Sequence, residues 1–300
     1  MKTRLIRSLV ACALMVDAAA VVGVVVIAPP SEAEAKRQVV HQDAATTREE
    51  QDRIVAYWTT ERMAAAVPAR SRLSLGVKRP SGARSDGAAL VPAQPRLGKV
   101  FFTVGGVNYV CSGASTESRN GDVVTTAGHC LHEGPGAFAT NFAFVPAYDN
   151  GARPYGTWTA RKLFTAQKWA ASGDFDYDVG FAAMNKSSDG RSLTQVAGSY
   201  PISFNLPRGL TYTSYGYPAT SQYKGQNLYS CSGTAIQDSQ GTTSQGLKCD
   251  MTSGASGGGW LTRGRLNSVN SFKYSNDPGM MWGPYFGSVV QAVYASAGVA

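Results

Sequence analysis

Between Cys249 and Trp260 the chain reads CDMTSGASGGGW. One serine, Ser256, stands among small residues and is followed by Gly257, Gly258 and Gly259. Glycine is entropically costly in a regular element, so such a run signals tight turns or a surface that something must approach closely. An oxyanion hole beside a nucleophile is one such use, and a flexible loop is the plain alternative. A serine nucleophile needs a base that titrates near neutrality, usually imidazole. The chain has three histidines. His41 lies in a charged N-terminal region, while His129 and His132 fall together in TTAGHCLH. Val123-Val124 leads as a strand into Ala127-Gly128 and His129, and a disulfide at Cys130 would hold the turn that carries the base. An imidazole in turn needs an orienting acid, and DFDYDVG offers Asp174, Asp176 and Asp178. Strand alternation puts all three on one face, so geometry alone does not choose among them. Solvated loop acids, or a calcium site, are the other uses for those not chosen.

The elements that must position these groups can be read from the rest of the chain. It has 300 residues, 43% hydrophobic and only 16% charged, with 33 Gly and 14 Tyr. That composition suits an exported, turn-rich β protein better than a helical one. Lys2, Arg4 and Arg7 precede an apolar run from Leu9 to Ile27, and PPSEAEA then places Ala33 and Ala35 at small-residue spacing. This layout predicts a signal peptide over 1–35, with an uncleaved anchor as the alternative. The net charge is +8, largely carried by the first 97 residues, and no Lys/Arg stripe interleaves with aromatics, which argues against nucleic-acid binding. Beyond Cys12 in the leader the cysteines are Cys111, Cys130, Cys231 and Cys249. An even number in an exported chain reads as two disulfides, and without C-x-x-C spacing a zinc site is not expected.

Residues 36–97 read as a propeptide and linker, with a disordered spacer as the alternative. TTREEQDRIVAYWTTERMAAAVP predicts one helix, opened by a Thr47/Glu50 capping box and ended by Pro68, and KRPSGARSDGAALVPAQPRLG predicts a linker. From Gly98 the texture becomes β-branched and aromatic. GKVFFTVGGVNYVCSG reads as a hairpin turning at Gly105-Gly106. DVVTTAGHC, YGTWTARKLF, DYDVGFAAM, GLTYTSYGYPA and NLYSCSGTAIQ read as further short strands, and YFGSVVQAVYASAG as a terminal helix. So many short strands suggest a barrel or sandwich.

TTAGHC resembles the histidine motif of trypsin-like (chymotrypsin-fold) serine peptidases. SGASGGG resembles their nucleophile motif, and YDVGF the short strand bearing their aspartate. The order His, Asp, Ser differs from that of subtilisins and α/β-hydrolases. The resemblance covers residues 98–300, and YGYPA places it nearest the bacterial branch that includes glutamyl endopeptidases. It implies an all-β fold of two six-stranded antiparallel barrels with a C-terminal helix. It implies a secreted serine endopeptidase in which Ser256 attacks, His129 is general base and acid, Asp178 orients it, and the amides of Gly254 and Ser256 form the oxyanion hole. Asp178, directly before Val179-Gly180-Phe181, fits the family pattern, with Asp176 next. The pairings Cys111–Cys130 and Cys231–Cys249 follow from the same resemblance, with other connectivities left open by sequence. No metal or cofactor is implied. The partners are protein or peptide substrates, with no nucleic acid and no stable membrane association once the signal is cleaved, and the chain is expected to be a monomer.

Departures matter as well. Ala255 stands where animal trypsin-like enzymes keep an aspartate that pairs with a freed N-terminal amine, so a leader that inhibits must do so sterically or act in folding. Gly259-Trp260 stands where proline is common, which suggests a looser loop after the serine. The pocket would be lined by residues before Ser256, including Asp250, and by the strand LNSVNSF, including Asn270 and Ser271. Asp250 occupies the place of a basic-residue selector, but the adjacent Cys249 builds the loop differently. Asn270 stands where glutamyl endopeptidases use histidine, so glutamate preference is not expected. Two other readings compete: an inactive trypsin-like fold used as a binding module, against which the intact triad speaks, and a lipase or esterase, which the triad order and lack of alternating helices disfavour.

Overall fold

The structure, a computed structural model, describes residues 37–69 and 87–300. The expected signal peptide and part of the expected linker lie outside the described residues. The described leader begins with β1 (Val39–Asp43), α1 (Arg48–Tyr57), α2 (Thr60–Ala65) and β2 (Val67–Pro68). The capping box forms as the TTRE pattern suggests: Glu50 N donates to Thr47 Oγ1 at 3.2 Å, and Thr47 N donates to Glu50 Oε2 at 2.9 Å. The expected single helix is instead two. It stops at Trp58, whose indole is fully buried, packs 5.4 Å from the Phe101 ring and donates through Nε1 to the Asn141 carbonyl at 2.6 Å. Anchoring this side chain fixes the break, and Thr59 starts α2 by accepting from Arg62 N.

After β3 (Ala89–Leu90) come β4 (Leu97–Val104), β5 (Val107–Thr116), β6 (Val123–Thr126), β7 (Thr140–Pro146) and β8 (Trp158–Ala166), then α3 (Gln167–Ser172) and β9 (Gly180–Met184). β4, β5, β6, β9, β8 and β7 pair in a closed ring of six strands. The hairpin between β4 and β5 turns at Gly105 and Gly106, whose φ values of 56° and 79° are those a two-residue primed turn requires. β4 is buried along nearly its whole length rather than on alternate residues. Trp58 of the leader packs on Phe101, and Lys99 lies against Tyr148 and the Gly225 carbonyl. β1 adds to β8 in a five-residue antiparallel register, and β2 runs parallel to β5.

The second half holds α4 (Leu193–Ala197), β10 (Thr211–Gly216), β11 (Tyr229–Thr234), β12 (Ile236–Gln237), β13 (Gln245–Lys248), β14 (Gly259–Thr262), β15 (Arg265–Val269), β16 (Met280–Gly283) and the terminal α5 (Ser288–Ala297). Its strands form a five-stranded sheet, β15-β14-β10-β11-β3, and a three-stranded one, β12-β13-β16. Its core is built on Trp260, Tyr212, Leu247 and Met251. Cys111 is bonded to Cys130, and Cys231 to Cys249. Val290, Val293 and Ala297 of α5 are buried in the main core.

Candidate active site

β6 ends at Thr126, and the chain turns through Ala127 into a 3₁₀ turn, Gly128–Cys130, that carries His129. The Cys111–Cys130 disulfide ties this turn to β5. Gly128 is required by crowding: a Cβ there would lie 2.9 Å from the Trp169 ring and 3.0 Å from Asp178 Oδ1. Asp178 is fully buried. Its Oδ1 accepts from the His129 backbone N–H at 2.8 Å, and its Oδ2 lies 2.8 Å from His129 Nδ1. Ser271 Oγ donates to the same Oδ2. A carboxylate bound this way fixes both the ring's orientation and the tautomer with the proton on Nδ1. His129 Nε2 is thereby left as the acceptor; it is buried and has no hydrogen-bond partner among the described residues.

The three acids of DFDYDVG do not share one strand face. Phe175–Tyr177 is a 3₁₀ turn and the strand begins only at Gly180. Asp174 caps that turn by accepting from Asp176 N at 3.1 Å, and Asp176 accepts from Thr243 N at 2.6 Å. Asp178 alone points inward. His132, also buried, packs edge-on against Phe138, and its carbonyl accepts from Trp169 Nε1 at 2.9 Å.

Ser256 sits on the loop between Cys249 and β14. Gly257 has φ of 78°, and a Cβ on it would meet Thr126 Oγ1 at 2.0 Å and Ala127 N at 2.7 Å. The nucleophile loop therefore lies against the turn that carries His129, and only glycine allows the approach. Gly254, with φ of 97°, is similarly confined: a Cβ on it would lie 2.8 Å from the Tyr217 carbonyl. The amides of Ala255, Gly257 and Gly258 donate to Thr252, Asn270 and Ala255. Those of Gly254 and Ser256 donate to nothing among the described residues. They remain available for an oxygen carrying developing charge.

Ser112, which no sequence motif marks, braces the same two residues through their carbonyls. Its N–H donates to the Ser256 carbonyl at 2.7 Å, its Oγ donates to the Gly254 carbonyl at 2.9 Å, and the same Oγ accepts from Tyr217 N. It is adjacent to Cys111, so one strand links base and nucleophile.

Asn270 is fully buried behind the loop. Its Oδ1 accepts from Ser214 Oγ and Trp260 Nε1, both at 2.7 Å, and its Nδ2 donates to the carbonyls of Tyr215 and Ala255. It braces the glycine run from within. Trp260 is locked by the same bond and lies in β14, so the chain after the serine is not loosened. Asp250 accepts from Ala88 N and from Tyr223 Oη, each at 2.7 Å, and from Gln222 Nε2 at 3.4 Å. Lys273, two residues beyond Ser271, donates to the carbonyls of Cys249 and Pro278 at 2.6 Å each, and burial pushes its ammonium down to about 8.

A cleft of about 810 Å³ opens beside His129, lined by Phe102, Tyr109, Trp169 and Phe175. Val67, Pro68 and Ala69 of the leader form part of its wall. Ala69 N donates to the Val110 carbonyl at 3.1 Å, extending the β2–β5 pairing toward the disulfide. Among the described residues, one group of potential metal ligands comes together here: Cys111, His129 and Cys130. Both sulfurs are spent in the disulfide, which leaves one imidazole, and that donor set does not fit a metal ion.

No family model matches the chain. Among solved structures it is similar to the protease Anisep from Arthrobacter nicotinovorans, with a TM-score of 0.68 and 49% identity over 70% of this chain and 99% of that one. It is likewise similar to the thermostable serine protease AL20 from an extremophilic microorganism (TM-score 0.67, 46% identity, 69% and 98% covered). A Glu endopeptidase matches at a TM-score of 0.58 and 19% identity over 71% of this chain and 97% of that one, a likeness of fold. A curated relative, an extracellular metalloprotease from Bacillus subtilis (strain 168), is 27% identical over 115 residues, 38% of this chain; the chain spans about a third of that relative's length, 35%.

Proposed function

The chain belongs to the trypsin-like, chymotrypsin-fold serine peptidases, and from that premise we propose that it is an exported endopeptidase acting through an acyl-enzyme on Ser256. The observation that carries this reading is the state of His129: two hydrogen bonds fix it to the buried Asp178, and Nε2 has no partner among the described residues, on a turn against which the Ser256 loop packs. In the reaction Nε2 takes the Ser256 Oγ proton as the oxygen attacks the scissile carbonyl. The oxyanion is met by the amides of Gly254 and Ser256, each such donor being worth about 3 kcal/mol in a fixed, dry site. The imidazolium, stabilised by Asp178, then protonates the leaving amine. The acyl-enzyme is cleared by water through the reverse sequence. The metalloprotease name of the Bacillus relative does not bring a metal step to this chain, given the donor set at His129. Ser256→Ala and Asp178→Asn test the mechanism: kcat for a peptide substrate falls by about 10⁶-fold and 10⁴-fold with folding intact. Unchanged turnover in either refutes it.

Residues 36–97 are read as a propeptide and linker, of which the described part up to Ala69 covers this site. The support is steric. Val67–Ala69 form a wall of the cleft beside His129, and Trp58, Ile54 and Met63 anchor the segment in the main core. Export is supported by the positive n-region and apolar run. Among the described residues no helix is long and apolar enough to cross a membrane.

A further inference from the structure

Asp250 is half-buried at the start of the loop that carries Gly254 and Ser256, directly after the disulfide-bonded Cys249. Its hydrogen-bond donors are all neutral: the Ala88 amide and the Tyr223 hydroxyl on Oδ1, and the Gln222 amide on Oδ2. Among the described residues it forms no direct ion pair: Lys273, whose charged form it favours, donates instead to the carbonyls of Cys249 and Pro278. The donor that reaches it from farthest along the chain is a backbone nitrogen 162 positions away, at 2.7 Å. That nitrogen is well held: Ala89 and Leu90 pair with Ser230 and Tyr229 of β11, Val91 N donates to the Leu228 carbonyl, and Ala88 packs on the second core. The preceding residue is exposed Gly87, where an added Cβ would lie 3.3 Å from Asp250 Oδ2. The length of chain from Ala88 onward is also close to the 70% and 69% of this chain that the two bacterial proteases cover.

We propose that the mature enzyme begins at Ala88 and that its new α-ammonium forms an ion pair with Asp250. Hydrolysis breaks the Gly87–Ala88 C–N bond. Water supplies the hydroxyl that makes the Gly87 carboxyl group and the proton that the Ala88 nitrogen takes up. The Gly87 acid then ionises, and the Ala88 amine is protonated beside Asp250. The nitrogen does not have to move, since a neutral N–H already 2.7 Å from the carboxylate becomes a charged donor in place. Ala255 leaves no carboxylate directly before the nucleophile, so Asp250 is the acid by which this fold senses a freed N-terminus. The pair clamps the first residue of the nucleophile loop. It also consumes the negative charge that a basic-residue selector at Asp250 would need.

The proposal rests on the reading that the leader is removed, and the test separates the two. The active protein is purified from the medium of a secreting host, and its N-terminus is determined by sequencing and intact mass. It is then treated with formaldehyde and cyanoborohydride near pH 7, and α-amine methylation is timed. The expected result is a chain starting at Ala88 whose α-amine methylates at least tenfold more slowly than that of an Asp250→Asn variant, since asparagine keeps a neutral acceptor but not the charge. If that variant does not fold, the comparison is with urea-unfolded wild type. An active chain still joined to residues 37–69 overturns both readings. Another starting residue, or an amine labelled at the unfolded rate, overturns the ion pair alone.

Discussion

At the scale of single residues, the site depends on groups that the motifs do not contain. Ser112 holds the carbonyls of Gly254 and Ser256, the same two residues whose amides are free, so its loss is expected to turn those amides rather than unfold the barrel. Ser112→Ala should lower kcat by roughly tenfold to a hundredfold, approaching the loss of one oxyanion donor, with KM little changed. Steady-state kinetics beside a melting curve check this; a fall in Tm with unchanged kcat would make Ser112 merely structural. Lys99 gives a second test. It is buried, donates to the Gly225 carbonyl at 2.8 Å, and lies over the rings of Phe101 and Tyr148. Burial pushes its ammonium down to about 7. From about pH 7 to pH 10 the unfolded chain therefore holds a proton that the folded protein has released, and stability gains as pH rises through that window. Below it both states are charged and the burial cost is complete. Lys99→Met should raise Tm most at and below pH 7, with the advantage shrinking toward pH 10. An advantage that does not vary with pH contradicts this account.

At the scale of elements, what could be read in the sequence was what is local. The Thr47/Glu50 cap, the Gly105-Gly106 turn and the terminal helix each rest on neighbours within a few positions, and each forms. The break at Trp58 does not, because its cause is a core pocket supplied by β4 and the Asn141 carbonyl. The same holds for the 3₁₀ turn that sets Asp178 apart from Asp174 and Asp176. A two-residue period read through DFDYDVG gives no hint that the strand starts only at Gly180. Ser112 was invisible for the same reason, its partners lying more than a hundred positions away. The leader gives the sharpest prediction at this scale. Trp58→Ala removes its largest anchor, at a cost of about 3–5 kcal/mol. The unprocessed chain should then cleave peptide substrate faster than the wild-type precursor, as Val67–Ala69 leave the cleft. If precursor activity stays the same while Tm falls, the leader does not cover the site.

At the scale of the whole molecule, the closed first ring carries His129 and Asp178, the second half carries Ser256 and its amides, and Ser112 with the Cys111–Cys130 disulfide joins them. The motif residues were legible one by one. The approach of the Ser256 loop to the His129 turn depends on the packing of Gly257 against Thr126 and Ala127, which no local pattern encodes. The central claim is that His129 activates Ser256, and reaction with a fluorophosphonate measures it most directly. The reagent, followed by tryptic mass spectrometry, should label Ser256 of the processed protein stoichiometrically, and His129→Ala should slow that labelling by orders of magnitude in a protein that still melts cooperatively. Labelling at another residue, or at an unchanged rate without His129, would contradict the account.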